Sequence, residues 1–389
     1  MASELVSSTR IPFLILTVAA CILLQGILIA NGAFGGLLKA IWYGQFENGK
    51  PLHRVYTGLP VVDELLAMSV SFWDAVATEK PILRLESVML CASLQTFAVL
   101  ATVERMRKGQ KHTILRWAPV YVFCWQYFGT AIFLPFYFYT ELNQHFDTSR
   151  LSDPSIPYFE AKSLIPAAVL AAIHPYLMVY FPWPSTTTAQ HQTFIAIYQL
   201  GPFMCYSLVS AFANYLSSDR KQAPPQVANS DAKWIKATYA FFGVFSAIVH
   251  VAVLGFVWSS RDPSLSLSEI FMPRWGNLWG PNAAAELYVE ESLFFLQWDF
   301  ILAVMCGSLY IARILEGISS SKIGQWPAYK RAVVLLVSGI ASVVLSPGLI
   351  VSLVLYGRED FLRDSFAQKQ SMQKSQLLED KKLREGGKW

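Results

Sequence analysis

The chain has 389 residues, of which 54% are hydrophobic and only 15% charged, where a soluble domain carries roughly 25% charged residues. That shortfall excludes an ordinary soluble enzyme and points to a chain that crosses a membrane several times. The net charge of +4 comes largely from a few short clusters and gives no basis for nucleic-acid binding.

A spanning helix needs about 20 mostly apolar residues. Eight segments meet that need: Ile11–Ile29, Leu85–Val103, Val120–Tyr139, Leu164–Phe181, Phe194–Leu216, Ile235–Trp258, Leu293–Leu315 and Ala332–Tyr356. The first is longer than a signal-peptide core of roughly 7–15 residues and reads as a retained span. Tyr56–Val76 is a weaker, ninth candidate. It holds Asp63, Glu64 and Asp74, so an amphipathic or re-entrant helix against the bundle is expected. Pro119, Pro135, Pro166, Pro175, Pro202 and Pro347 punctuate the spans and predict kinks.

The predicted fold is an all-α, polytopic transmembrane bundle of about eight spans. Residues 1–356 form one membrane domain and 357–389 a flexible basic tail carrying Lys369, Lys374, Lys381, Lys382, Arg384 and Lys388. The loop Pro273–Pro281, rich in Trp, Gly and Pro, reads as an ordered interfacial segment. The cluster Arg105, Arg107, Lys108, Lys111 and Arg116 marks a cytoplasmic loop. With eight spans, Arg220, Lys221, Lys233 and Lys236 then fall on the opposite side, and the positive-inside rule does not close.

Much familiar chemistry is missing from the sequence. There is no aspartate-rich run of the kind that clusters magnesium for diphosphate ionisation. No P-loop, dinucleotide-binding glycine fingerprint or nucleophile elbow is present. His174 and His250 are lone span histidines, which read as packing residues rather than heme ligands. Cys21, Cys91, Cys124, Cys205 and Cys306 lack zinc-type spacing and read as small buried hydrophobes. No metal and no cofactor is expected.

What remains is acids among aromatics: Phe72-Trp73-Asp74, Trp298-Asp299-Phe300, and the ring-dense stretch Trp117–Tyr139. An acid at bilayer depth is a functional-site hypothesis by default. A carboxyl kept neutral in an apolar pocket is a proton donor, and aromatic faces attract cations. Together they suit a proton-initiated carbocation cyclisation. Asp299 is the first candidate for the general acid, since it sits about two turns inside its span. Asp63 and Asp74 are candidate partners. Their spacing of eleven residues returns to nearly one helix face, although a surface helix would make both ordinary solvated acids. Trp73, Trp298 and Phe300, and after them Trp125 and Tyr127, are candidate substrate-contacting, cation-stabilising rings. Packing or a membrane-interface belt is the other explanation of such rings. Glu64, Glu86, Glu104 and Glu141 stand near span ends and read as interfacial, while Glu290 and Glu291 open the seventh span.

Tyr56-Thr57-Gly58-Leu59-Pro60-Val61-Val62-Asp63-Glu64-Leu65-Leu66, followed by Ser71-Phe72-Trp73, resembles the first loop of certain fungal multi-span terpene cyclases. These act in meroterpenoid pathways of the ascofuranone and ascochlorin type. The late Gln297-Trp298-Asp299 and the overall layout also fit. The resemblance implies metal-free cyclisation of an epoxidised, farnesyl-derived side chain on an aromatic or similar core, in the endoplasmic reticulum membrane. The partners it implies are a small hydrophobic prenylated substrate, membrane lipids, and a prenyltransferase and an epoxidase of the same pathway. A proton-coupled transporter or a lipid- or metabolite-binding membrane protein is the competing reading, because intramembrane acids serve those roles too.

Overall fold

Long apolar stretches fold as helices because only a helix or a closed barrel satisfies its own backbone polar groups away from water. The computed structural model describes residues 2–109, 116–146, 153–218, 229–279, 284–323 and 326–386. Among them every regular element is a helix, apart from one isolated bridge between Gln45 and Pro51. Helix α1 (Ala2–Ala20) continues through a π-helical turn, Cys21–Gly26, into Ile27–Ala30. Then follow α2 (Ala33–Tyr43), α3 (Pro60–Thr78), α4 (Pro81–Met106), α5 (Ala118–Phe128) and α6 (Thr130–Phe146). Helix α7 (Tyr158–Ala168) runs through a π-turn, Val169–Ile173, into His174–Tyr180. The remainder are α8 (Thr188–Gln199), α9 (Gly201–Ser218), α10 (Ala232–Ser259), α11 (Leu267–Phe271), α12 (Ala284–Ile323), α13 (Ala328–Leu345) and α14 (Pro347–Gly386).

Six of the described helical stretches are long and apolar enough to cross a membrane, or seven if α8 and α9, bent by 64°, count as one span. Their outward faces are apolar, as lipid contact requires. Ile11, Leu14, Ile15, Val18 and Ile22 of α1 are exposed, as are Leu336, Val337 and Ile340 of α13. Cys21 lies on this outer surface, contrary to its expected burial.

Side-chain contacts show which way the helices run. Thr130 and Ala131 at the start of α6 meet Asp299 of α12. Further along, Phe138 stacks on Tyr310 at 4.0 Å and packs against Phe97 of α4 at 5.6 Å. Lys80, just before α4, meets Glu290 of α12 at 2.7 Å, so helices α4, α6 and α12 are parallel. Helix α1 is antiparallel to them, with Phe13 against Tyr139 and Gln25 donating to the Phe128 carbonyl at 2.9 Å.

One of the eight expected spans, Val120–Tyr139, turns back instead of crossing, and another, Ala332–Tyr356, is a helix long enough to cross followed by a reversal. Val120–Tyr139 is broken at Gly129, whose φ of +99° no helix accepts, and the Tyr121–Phe133 and Trp125–Tyr137 ring contacts close α5 and α6 into a hairpin. Helix α5 has 11 residues, about 16 Å, which is half a bilayer. Ala332–Tyr356 is broken at Ser346, φ +136°. The turn at Ser346 packs against the middle of α10, where His250 bonds the Val343 carbonyl at 2.8 Å and Ser346 meets Ser246 at 2.5 Å. Apolarity and length, which define a span in the sequence, do not reveal a reversal.

Because both hairpins return to the end they came from, the basic segments gather at that one end. Arg105, Arg107, Lys108 and Arg116 follow α4, Lys233 and Lys236 begin α10, and Arg331 begins α13. The mismatch expected from eight crossings disappears. Lys111, Arg220, Lys221, Pro281 and Lys388 lie outside the described residues.

A buried ion network closes this basic end. Arg107 bonds Glu104 at 2.9 Å and Glu359 at 2.8 Å. Arg358 bonds Glu104 at 2.6 Å and also Glu141, which accepts from the Tyr310 hydroxyl at 2.7 Å. Arg363 reaches Asp231 at 2.8 Å. Glu104 and Glu141, expected near span ends, are fully buried partners of arginine at this end of the bundle. The helix also runs unbroken across the boundary expected after Tyr356, since α14 extends to Gly386 and buries Arg358, Glu359 and Arg363.

Candidate active site

Asp299 lies on α12, 3% exposed. Its Oδ1 accepts the Ala131 N–H at 2.7 Å and its Oδ2 the Thr130 N–H at 3.2 Å. These are N–H groups of the first turn of α6, which have no partner within the helix, and the positive end of a helix favours a neighbouring carboxylate. Gly129 makes the approach possible. A Cβ there would stand 2.6 Å from Leu24 Cδ1 and 3.2 Å from the Phe295 ring. Gly129→Ala, strained by both its positive φ and this crowding, is expected to move the α6 terminus off Asp299. The variant should lose at least about 1 kcal/mol of stability, read as a lower midpoint in thermal unfolding in detergent. A midpoint equal to that of the wild type would contradict this.

Asp299 faces a cavity enclosed by α3, α4, α5, α7, α8, α9 and α12. Trp73, Trp125 and Phe295 supply ring walls, and Ala98, Ala168, Ala171 and Gly201 leave room. The cavity volume is about 80 Å³, below the roughly 300–1,000 Å³ of sites that hold a whole small molecule, and its walls are mostly apolar as in such sites. Trp73, Gln126 and Phe295 also wall an adjoining space lined by Phe72, Tyr127 and Phe128.

The candidate residues from the sequence therefore separate into two groups. Asp299, Trp73 and Trp125 share one cavity, and Tyr127 lines the space next to it, its hydroxyl donating to the Leu65 carbonyl. Trp298 and Phe300 do not line it. Trp298 packs on Phe294 and Trp275, and Phe300 packs on Phe271 and His250. Chain neighbours of Asp299 point about 100° away around the helix, while Phe295, four residues earlier, shares its face.

Asp63 and Asp74 are also outside the cavity, because each is committed to a loop. Asp63 accepts from the backbone N–H of Tyr56 (3.1 Å), Thr57 (2.7 Å) and Gly58 (3.0 Å) and from the Thr57 hydroxyl (2.8 Å). Desolvation pushes its carboxyl up, but the bonds from Thr57, Tyr56 and Gly58 together outweigh that and hold it below the ordinary aspartate value. A lowered folded-state pKa means the stabilisation is complete above the unfolded value, about 3.9, and fades as pH falls through the folded one. Proteolytic protection of the 52–60 loop should therefore be constant near neutrality and fall only in acid, and Asp63→Asn should abolish that dependence. Asp74 is held by Lys50 at 2.6 Å and by His191 at 3.5 Å.

The sequence pattern did not assign three buried polar side chains to the site. Glu86, expected to be interfacial, is 1% exposed, neither carboxylate oxygen has a hydrogen-bond partner among the described residues, and it lies within electrostatic reach of Asp299. Gln95 and Gln199 line the cavity itself. The available signal was a polar residue inside each apolar run.

Comparison with known proteins finds a family and several relatives. The CtvD domain family matches residues 9–362. Among curated proteins, "Terpene cyclase DEP1" of Alternaria brassicicola is 26% identical, covering 85% of this chain and 92% of its own length. "Terpene cyclase alnG" of Emericella nidulans is 24% identical, over 67% of this chain and 71% of its own. "Terpene cyclase ascI" of Acremonium egyptiacum is 20% identical, over 68% of each. No solved structure matches. With nearly its whole length matched, the chain belongs to the CtvD domain family.

Proposed function

We propose that this protein is a membrane-embedded terpene cyclase of fungal meroterpenoid biosynthesis, acting on an epoxidised, farnesyl-derived prenyl chain that enters the Asp299 cavity from the bilayer. The observation that carries the reading is a single carboxyl on the wall of a largely apolar, ring-lined cavity, in a chain whose relatives are named terpene cyclases.

In this reading Asp299 gives its proton to the epoxide oxygen. The C–O bond opens, an alkene of the same chain attacks the developing cation, and loss of a proton ends the sequence, so the product is an isomer of the substrate. The amides of Thr130 and Ala131 are placed to stabilise the carboxylate left behind. Trp73, Trp125 and Phe295 present rings to the cationic chain. That carboxylate or Glu86 takes the last proton. Such a substrate requires earlier prenyl transfer and epoxidation by other enzymes. The basic end of the bundle lies on the cytoplasmic side of the endoplasmic reticulum membrane in this reading.

The test is conversion of an epoxyfarnesyl phenol by microsomes carrying the protein, with chelator present because the sequence offers no clustered acids. A cyclic product of unchanged mass is expected. Recovery of open-chain epoxide alone, from folded protein, would rule the reading out.

A further inference from the structure

Gln199 is 1% and Gln95 5% exposed, and both line the cavity. Neither the oxygen nor the nitrogen of the Gln199 carboxamide has a hydrogen-bond partner among the described residues, while Gln95 has the Tyr198 hydroxyl beside it and is only partly satisfied. The side-chain oxygen of Gln126, on the same wall, is likewise buried and unbonded. Buried carboxamides are nearly always bonded, and leaving them unmet is costly. One unmet and one only partly met on a cavity wall call for a ligand that supplies the missing donors and acceptors.

The rest of the lining says what kind of ligand this is. It contains no Lys, Arg or His, and Asp299 is its one carboxyl. An anionic head such as a diphosphate would be buried without a counter-charge and beside an acid. An uncharged head with hydroxyl or carbonyl groups meets the carboxamides at no such penalty.

We propose that Gln95 and Gln199 bind the neutral, hydrogen-bonding head of the substrate and so determine which part of the prenyl chain is presented to Asp299. This rests on the cyclase reading for the identity of the chain, but not for the binding site.

The test is equilibrium binding to the detergent-solubilised full chain, with three probes: an epoxyfarnesyl phenol, the matching epoxyfarnesyl benzene without the hydroxyl, and farnesyl diphosphate. The wild type is expected to prefer the phenol over the benzene about tenfold, the value of one to two net hydrogen bonds, and to bind the diphosphate more weakly than either. Gln95→Met with Gln199→Met should remove the preference while keeping affinity for the benzene. The same double variant should raise the unfolding midpoint of the ligand-free protein, because it removes unmet polar groups. A merely structural pair of glutamines would lower it. The proposal fails if the preference survives the substitutions, if the wild type binds the phenol no better than the benzene, or if the diphosphate binds best. A preference that follows the glutamines with no cyclic product would sustain the binding site and overturn the cyclase. Product formed without any preference would do the reverse.

Discussion

Asp299→Asn is expected to lower turnover of an epoxyprenyl substrate by about 10²–10⁴-fold, the contribution of a positioned general acid, while the protein still folds and binds. The carboxamide keeps the shape of the side chain, and its oxygen still accepts the Ala131 N–H where Asp299 Oδ1 does at 2.7 Å. What it lacks is a proton to give. Affinity for the unreacted substrate should change little, so the loss should fall in kcat and not in KM. Single-turnover product formation in proteoliposomes, alongside a binding isotherm, separates the two. Activity within about threefold of the wild type, a difference of well under 1 kcal/mol, would remove Asp299 from the chemistry.

Arg358→Met should be among the most destabilising single changes in the chain. Arg358 is fully buried and joins Glu104 of α4, Glu141 of α6 and the Tyr310 hydroxyl of α12 to α14. Methionine fills much of the volume but leaves two carboxylates short of a counter-charge. Removing one partner of a buried ionic cluster costs about 3–5 kcal/mol. The cost is moderated here because Arg107 still pairs with Glu104 and Tyr310 with Glu141. The expected result is a large fall in the detergent unfolding midpoint and early proteolysis within α14, with cavity binding impaired only as folded protein is lost. An unchanged midpoint would show that the cluster is not holding the hairpin in place.

The membrane class and the helical architecture were legible in the residues alone. Twenty successive apolar side chains admit few structures other than a span, and one acid inside such a run is conspicuous. The same information could not tell a crossing from a hairpin. Gly129 and Ser346 reverse the chain through two backbone angles, and nothing in the flanking apolarity records it. The aromatic candidates divide for a geometric reason: Trp298 and Phe300 adjoin Asp299 in sequence but turn away from its cavity, while Trp73 and Trp125 come to it from other helices. Asp63 and Asp74 read in the sequence either as site partners or as solvated acids of a surface helix, because their actual partners are loop groups, the Thr57 N–H and Lys50, whose approach is a tertiary event.

By itself the sequence determined that this chain must bury its backbone in helices within lipid and must shelter any acid it carries there, because hydrocarbon solvates neither peptide groups nor charge. Only the tertiary structure decided which acids face a cavity and which are tied to arginine, lysine or a loop, and it brought Gln95, Gln199, Trp125 and Asp299 to a common wall. The reason is rotational: a helix sets the spacing of its side chains, but the direction each one faces becomes meaningful only once neighbouring helices have packed against it.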